Sequence, residues 1–489
     1  MFKPRPYQEK PLESALSVMN VTGKVNKSLL VQPTGAGKSW VIANTAYEIN
    51  EPMLIIQPSK ELLIQNYTKF VQLGGEASIV CSSAKVKQKN KIDYTLIDDQ
   101  YVPCDMVSKV TYTTVGSAMK YFDKFKSLGV RRIIVDEAHH MTQSGTRFEK
   151  FSKDLKVKNL LGLTATPILL KTTSEGSQLR MMNRTSYSLF RDICYVTQIQ
   201  ELVEQNYWTK LIYKGYKVDT SPLVLNSSGA DYDEASQSSF FEKNRLDKNI
   251  KYTVETLQKE GRKSILVFVP SIKEALKLFS IIPNSAVVHS GMDIATRDYV
   301  VKAFRDGDIP VVINVNILAT GFDHPEVDAI ITARPTKSIA VFYQQCGRGV
   351  RISPNKDNCI IVDFSGNLKT FGKLEGIKYL NVEDEGWGMY NSSGKLLTGV
   401  NMDGTESRYS IDLSKRNKKV VEGVNYRNSS IIFWFGKYEG LTVKEVIRKD
   451  SRYIKWLYED FNFGDGKLAA LKEELELYIT DKNKPENRF

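Results

Sequence analysis

The sequence predicts an α/β protein: two tandem domains built on parallel sheets flanked by helices, followed by a small C-terminal accessory domain. Three observations carry that prediction. Short β-branched runs alternate with helical patterns through the first half of the chain, the rhythm of βα units. The same texture restarts at "KSILVFVP" (263–270) and continues through "SAVVHSG" (285–291), "IPVVINV" (309–315) and "DAIITAR" (328–334) to "NCIIVDF" (358–364). After Phe371 it stops, and Gly-, Asn- and Lys-rich sequence leads into a separate module. The 489 residues exceed one hydrophobic core and suggest about three domains at ~150 residues each. The expected boundaries are 1–205, 206–372, a linker or accessory segment 373–429, and a module over 430–489.

Taken in order, "KSLLVQP" (27–33) is the first strand, and a helix follows from Gly37 to about Ile49. "PMLIIQP" (52–58) is the next strand, and Ser59 is the N-cap of the helix in "SKELLIQNYTKFVQLG" (59–74). Residues 82–108 are polar and carry Lys85, Lys87, Lys89 and Lys91; they read as a solvated loop, with a nucleic-acid contact as the alternative. "RRIIVDE" (131–137) and "NLLGLTAT" (159–166) are further strands. The Ser-rich "VLNSSGADYDEASQSSF" (224–240) reads as a loop.

Composition narrows the class. Hydrophobic content of 42% and charged content of 25% are those of a globular protein. No uninterrupted apolar run of ~18 residues occurs, and the start "MFKPRPYQEK" lacks an apolar signal core. The expectation is a cytoplasmic protein of a bacterial or phage-infected cell. Cys81, Cys104, Cys194, Cys346 and Cys359 are scattered without a CxxC pair, as reduced thiols are. The net charge of +12 favours a polyanionic partner.

Three segments carry chemistry. "QPTGAGKS" (32–39) is a strand-to-helix turn in which Pro33, Thr34, Gly35, Ala36 and Gly37 would cradle phosphates. Lys38 would reach the β- and γ-phosphates of ATP, and Ser39 would hold Mg²⁺. The usual leading glycine of that pattern is Gln32 here. "IIVDEAHH" (133–140) ends a strand on two acids. A helix cap is the plain reading of that pair; beside a phosphate loop, Asp136 can hold the Mg²⁺ shell and Glu137 can polarise the attacking water. "YQQCGRGVR" (343–351) puts Arg348 and Arg351 three apart on a presumed helix, able to reach across a cleft to phosphates.

Together these segments resemble the superfamily 2 helicases and translocases of DEAH-box type, over about 5–367 in consistent order. The resemblance implies two RecA-like domains with ATP and Mg²⁺ between them. "RPYQ" (5–8) resembles the adenine-sensing segment, with Gln8 its reader. "IIQPSKELLIQ" (55–65) and "TYTTVGS" (111–117) resemble motifs Ia and Ib, and "VVHSGM" (287–292) the segment after motif IV. By that likeness DNA is contacted through Pro58, Ser59, Lys60, Thr113, Thr114, His289, Ser290 and Gly291. "LTATP" (163–167) resembles motif III, which implies a coupling role for Thr164 and Thr166, and His139 of motif II shares it. "INVNILATGFDHPEVDAII" (313–331) resembles motif V, with Gly321 and Asp323 toward the nucleotide, and Gln344, Arg348 and Arg351 fit motif VI.

Within the superfamily, residues 345–367 are similar to RadD-type repair helicases and, more distantly, to phage branch-migration helicases of the UvsW kind, although no cysteine-rich zinc segment follows. "FWFGKYEGLTVKEVIRKDSRYIKWLYEDF" (433–461) resembles the module ending exodeoxyribonuclease X-like proteins, without that family's catalytic acids. The implied function is an ATP-dependent DNA helicase or translocase working on branched or damaged DNA. The alternatives are an RNA helicase, the motor subunit of a restriction complex, and an ATPase-dead DNA-binding scaffold.

Overall fold

The structure is a computed structural model. It describes residues 4–398 except 99, 143–144, 174–175, 185–188, 228–230, 318–323, 383–385, 393 and 395; beyond them it describes 420–421, 437–438, 446 and 453. The chain divides into two compact units, Met1–Gly423 and Val424–Phe489.

The first part of the large unit runs α1 (Pro6–Met19), β1 (Asn26–Val31), α2 (Lys38–Ile49), β2 (Met53–Gln57), α3 (Lys60–Gln72) and β3 (Ser78–Val80). It continues with β4 (Lys87–Lys89), β5 (Ile92–Ile97), β6 (Gln100–Pro103), β7 (Val110–Thr114), α4 (Val115–Lys120), α5 (Phe122–Ser127) and β8 (Arg132–Val135). Then come α6 (Gly145–Asp154), β9 (Asn159–Thr164), β10 (Ile168–Thr173), β11 (Gly176–Met181), β12 (Asp192–Val196) and α7 (Ile199–Glu204). Seven of these strands form a parallel sheet in the order β12-β1-β9-β8-β2-β7-β3. Along β1 the pleat sends Leu29 and Val31 into one hydrophobic cluster and Leu30 into another, so both faces are covered.

The second part holds β13 (Lys210–Gly215), α8 (Glu234–Lys243), α9 (Leu246–Lys259), β14 (Ile265–Phe268), α10 (Ile272–Phe279), β15 (Ser285–Val288) and α11 (Ile294–Asp306). It is completed by β16 (Val311–Asn314), β17 (Ala329–Thr332), α12 (Ile339–Cys346), β18 (Asn358–Asp363) and α13 (Asn367–Phe371). Its six strands are also parallel, in the order β13-β18-β17-β14-β16-β15. After it, β19 (Lys378–Val382), β20 (Gly386–Tyr390) and β21 (Val420–Val421) make an antiparallel sheet. One apolar cluster runs unbroken from Leu29 and Val135 of the first sheet to Leu266, Ile330 and Tyr343 around the second.

The α/β expectation therefore holds: every strand predicted above is present, and Ser59 caps α3 by accepting from Leu62 N–H at 3.3 Å. Two segments differ from their loop readings. Residues 87–103 form an antiparallel sheet, because Ile97 and Val102 on its inner side join an apolar cluster of the first domain. Within 224–240 the chain turns helical at Glu234, capped by Asp233, whose carboxylate accepts from Ser236 N–H, and Phe240 and Phe241 are buried. No helix among the described residues is long and apolar enough to cross a membrane.

Candidate nucleotide and nucleic-acid site

The loop between β1 and α2 adopts the strand-to-helix turn that its glycines permit. Gly35 and Gly37 both have positive φ, +80° and +83°, a conformation that a side chain would strain. A side-chain carbon on Gly37 would also lie 2.3 Å from the Gln8 amide nitrogen, so Gln8 rests directly against this loop. Gln8 is held there because its Oε1 accepts from Arg5 N–H at 3.0 Å. Beside it Tyr7 packs on Tyr207 at 4.5 Å between ring centroids, under the Arg5 guanidinium.

Lys38 opens α2, and its amine lies 3.1 Å from Glu137 Oε1 at the end of β8. Asp136 is buried; its Oδ1 accepts from Glu137 N–H at 2.9 Å, and its Oδ2 accepts from the Asn66 amide at 3.2 Å. The two acids are pushed apart electrostatically. Burial and the neighbouring Glu137 raise the Asp136 carboxyl. Burial opposes ionisation of Glu137 too, but Lys38 and His139 overcome it and hold this carboxyl low.

His139 extends the cluster across the cleft. Its Nδ1 is 3.0 Å from Thr164 Oγ1 and 3.4 Å from Glu137 Oε2, while Nε2 is 3.3 Å from the Gln344 amide nitrogen on α12. Burial lowers its pKa to about 4, against the pull of Glu137, so the ring is neutral at pH 7. With the proton on Nδ1, Nε2 accepts from Gln344. Thr164 Oγ1 also accepts from Thr166 N–H at 3.0 Å, and Thr166 is buried.

Domain 2 meets the phosphate loop through Trp208, whose Nε1 donates to Thr34 O at 3.1 Å. The next residue ties this contact to the arginine segment, Thr209 N–H donating to Val350 O and the Thr209 hydroxyl to Arg351 O. A side-chain carbon on Gly35 would sit 3.8 Å from Arg351 Cγ, which puts the Arg351 stem against the loop. The helical placement of the two arginines is corrected: α12 ends at Cys346, and Arg348 and Arg351 lie in the turn and extended segment beyond it. Gly347 caps the helix, and beyond it Gly349 stands so near Cys359 that a side-chain carbon would be 2.4 Å from its Sγ. Arg348 is buried.

The remaining expected residues divide. Pro58, Ser59 and Thr114 line one cavity of about 410 Å³ whose wall includes His140 and Met141. Lys60 opens α3 next to it. Thr113 does not line that cavity: it is fully buried, and its hydroxyl donates to Val80 O at 2.9 Å. In domain 2, Ser290 and Gly291 are exposed beside half-buried His289, whose Nδ1 accepts from Gly291 N–H. Gly321 and Asp323 lie outside the described residues.

Asn66 was not singled out from sequence. Its signal is an amide on the buried stripe of α3, between Leu63 and Phe70, where an apolar residue is the rule. Trp208 and Tyr379 were missed as well; the Tyr379 hydroxyl donates to Ala165 O in the loop after β9. As for a metal, Ser39 and Asp136 supply the hard oxygen donors that Mg²⁺ takes, and a buried carboxylate held by two N–H groups suits it. Such a cation neutralises phosphate charge; the remaining ligands would be phosphate oxygens and water.

Comparison with known proteins agrees with this geometry. Residues 1–169 match the family model described as type III restriction enzyme, res subunit, and 247–353 match the helicase conserved C-terminal domain. The two parallel sheets are two RecA-like helicase domains. Residues 433–462 match the exodeoxyribonuclease X-like C-terminal model. Similar proteins include the putative ATP-dependent helicase IRC3 of Saccharomyces cerevisiae, 23% identical over 87% of this chain; the chain spans 61% of that relative's length. The type ISP restriction-modification enzyme LlaBIII bound to DNA aligns over 74% of the chain and 27% of its own, at 17% identity and TM-score 0.53. A putative HsdR subunit fragment of a type I restriction enzyme from Vibrio vulnificus aligns over 76% and 66%, at 16% identity and TM-score 0.54.

Proposed function

We propose that this chain is an ATP-dependent DNA helicase or translocase that acts on branched or damaged DNA in repair, recombination or replication. One observation supports this best: Lys38, Glu137, His139, Thr164 and Gln344 form one connected cluster that spans both RecA-like domains, with the Arg351 stem against the same loop. Lys38 binds the β- and γ-phosphates, and Ser39 and Asp136 carry the Mg²⁺ shell. Glu137 orients the attacking water, and Arg348 and Arg351 stabilise the charge that develops in transfer.

In this reading DNA runs over the cavity shared by Pro58, Ser59 and Thr114, and across to Ser290 and Gly291. The His140 ring at that cavity lies against His139 at 4.1 Å between centroids, tilted by 39°, which supports a direct path from strand to water-orienting acid. The similarity to RadD-type and UvsW-kind helicases favours branched substrates, and +12 net charge favours a polyanion. The exodeoxyribonuclease X-like segment would be an accessory DNA contact. Within that unit Tyr438 is buried and packs edge-on against Tyr453 at 4.9 Å, so these two rings serve the module's own core and leave phosphate contact to its lysines.

ATP turnover measured with single strands, forks, flaps, Holliday junctions and RNA–DNA hybrids tests the proposal. Stimulation strongest on branched DNA is expected; stimulation by RNA alone would replace it with the RNA-helicase reading. The match to the restriction res subunit favours a second reading, the motor of a restriction complex. That motor would travel along unbranched duplex and show no preference for junctions.

A further inference from the structure

The small sheet β4–β6 stands apart from the machinery described so far. It is inserted between β3 and β7 at the carboxyl edge of the first sheet. Its root is tied to the segment after Thr114: Ser82 N–H donates to Ser117 Oγ at 3.2 Å, and Thr114 Oγ1 lies 3.1 Å from the same oxygen. The register Lys87↔Tyr94, Lys89↔Ile92, Tyr94↔Pro103 and Leu96↔Tyr101 places these side chains on one face, since directly paired residues point the same way. The opposite face carries Thr95 and Ile97, which are buried against the domain.

The outward face combines features that a merely solvated sheet does not need. Tyr101 is 55% exposed and Leu96 46% exposed, an aromatic–aliphatic pair turned to solvent. Lys87 Nζ lies 4.7 Å from the Tyr101 ring centroid, and Lys89 and Lys91 are exposed at the hairpin beyond. The one acid within these three strands, Asp93, belongs to the other face and is paired with Lys85 at 2.8 Å. The strands thus present a cationic and aromatic face, with no carboxylate on it among their described residues; Asp98 lies in the turn beyond. Rings flanked by ammonium groups match a flexible polyanion with stackable π faces.

We infer that this face is a binding platform for single-stranded DNA, continuing the track that passes Thr114 and guiding the strand onto or off the motor. The inference rests on the nucleic-acid motor reading above. Phosphates would meet Lys87, Lys89 and Lys91, and a base would stack on Tyr101. Because base edges go unread, the platform would be indifferent to sequence.

Full-length protein is titrated with a fluorescent dT oligonucleotide and a matched rU oligonucleotide across a salt series, as wild type, Lys87→Ala/Lys89→Ala, Tyr101→Ala and Tyr101→Phe. The double variant should lower the slope of log K against log salt by about 1.4, at about 0.7 per single-strand phosphate contact. Tyr101→Ala should weaken dT binding at least fivefold, the low end of the loss for one stacked base, and Tyr101→Phe should restore it. All the substituted side chains are exposed, so melting temperature should not move. Wild-type binding with unaltered slope and affinity in the variants overturns the platform alone. No dT binding by wild type overturns the motor reading as well. A loss confined to rU overturns the assignment to DNA, and an unchanged oligonucleotide profile alongside loss of an acidic protein partner would make the face a protein dock.

Discussion

His139→Asn tests the centre of the site through stability as well as activity. The ring is buried, with Nδ1 toward Thr164 and Glu137 and Nε2 toward Gln344. Burial holds its pKa at about 4 in the folded chain, against 6.5 for the ordinary group. A base whose folded pKa is depressed binds fewer protons folded than unfolded. Its contribution to stability is therefore complete above pH 6.5 and is lost as pH falls toward about 4. At about 1.36 kcal/mol per unit, the loss reaches roughly 2 kcal/mol at pH 5 and roughly 3 kcal/mol near pH 4. In a domain of this size 2 kcal/mol lowers the melting temperature by about 4–8 °C. Asparagine places an amide nitrogen near the position of Nδ1 and cannot charge, so it should remove this part of the acid lability. The assay is thermal melting of nucleotide-free wild type and variant, in chelator, at pH 7.5 and pH 5. The variant's melting temperature should drop less between the two. Equal drops in both proteins would refute the buried neutral imidazole. Activity gives an independent reading: without Nε2 the link to Gln344 is broken, and DNA stimulation of turnover should fall while basal turnover falls less.

Glu137→Gln should abolish hydrolysis with ATP binding nearly intact, since Lys38 is then freed from its 3.1 Å carboxylate partner; wild-type turnover would sink the role given to Glu137. Arg351→Ala should cut DNA-stimulated kcat about 10³-fold with little change in ATP affinity, and residues 1–205 alone should not hydrolyse ATP at the full rate. Asn66→Ala should raise the Mg²⁺ concentration for half-maximal turnover about tenfold or more, because Asp136 loses the amide on its Oδ2; an unchanged Mg²⁺ titration would reduce Asn66 to packing. Truncation before Ile431 should spare basal ATPase while weakening branched-DNA binding and its salt slope, and equal binding would make that module a structural or docking element.

Sequence disclosed most readily what depends on neighbours along the chain. The loop from Gln32 to Ser39 and the acids after β8 are local patterns, and strands such as β1 and β8 were marked by apolar runs buried on both faces. What escaped was set by contacts between distant residues. Lys87 to Pro103 has three lysines and no long apolar run, yet Thr95, Ile97 and Val102 give the sheet an inner face. Arg348 and Arg351 obey helical spacing, but the helix ends at Cys346 on the Gly347 cap, and the chain then packs Gly349 against Cys359. Spacing alone could not show that packing, because Cys359 sits on the following strand.

Burial likewise divided residues that the motifs treat alike. Thr113 and Thr114 are adjacent in one segment, but strand alternation turns the first into the sheet and leaves the second at the cavity rim. The same rule explains why Asn66 carries more information than its motif neighbours: on α3 it occupies a buried position where an amide costs stability unless paired. Its pairing is to Asp136, 70 residues away. Tyr379 makes the parallel case from the far end of the motor. It is buried beyond the last strand of domain 2, its backbone is bonded by the Gln198 amide, and its hydroxyl reaches Ala165 between Thr164 and Thr166. The segment 164–166 is therefore approached from domain 2 in two ways, through Gln344 by way of the His139 ring and directly by the Tyr379 hydroxyl on Ala165 O. Under the proposed function, movement of domain 2 against domain 1 would strain one of these contacts and so would link hydrolysis at Glu137 to domain motion through Thr164.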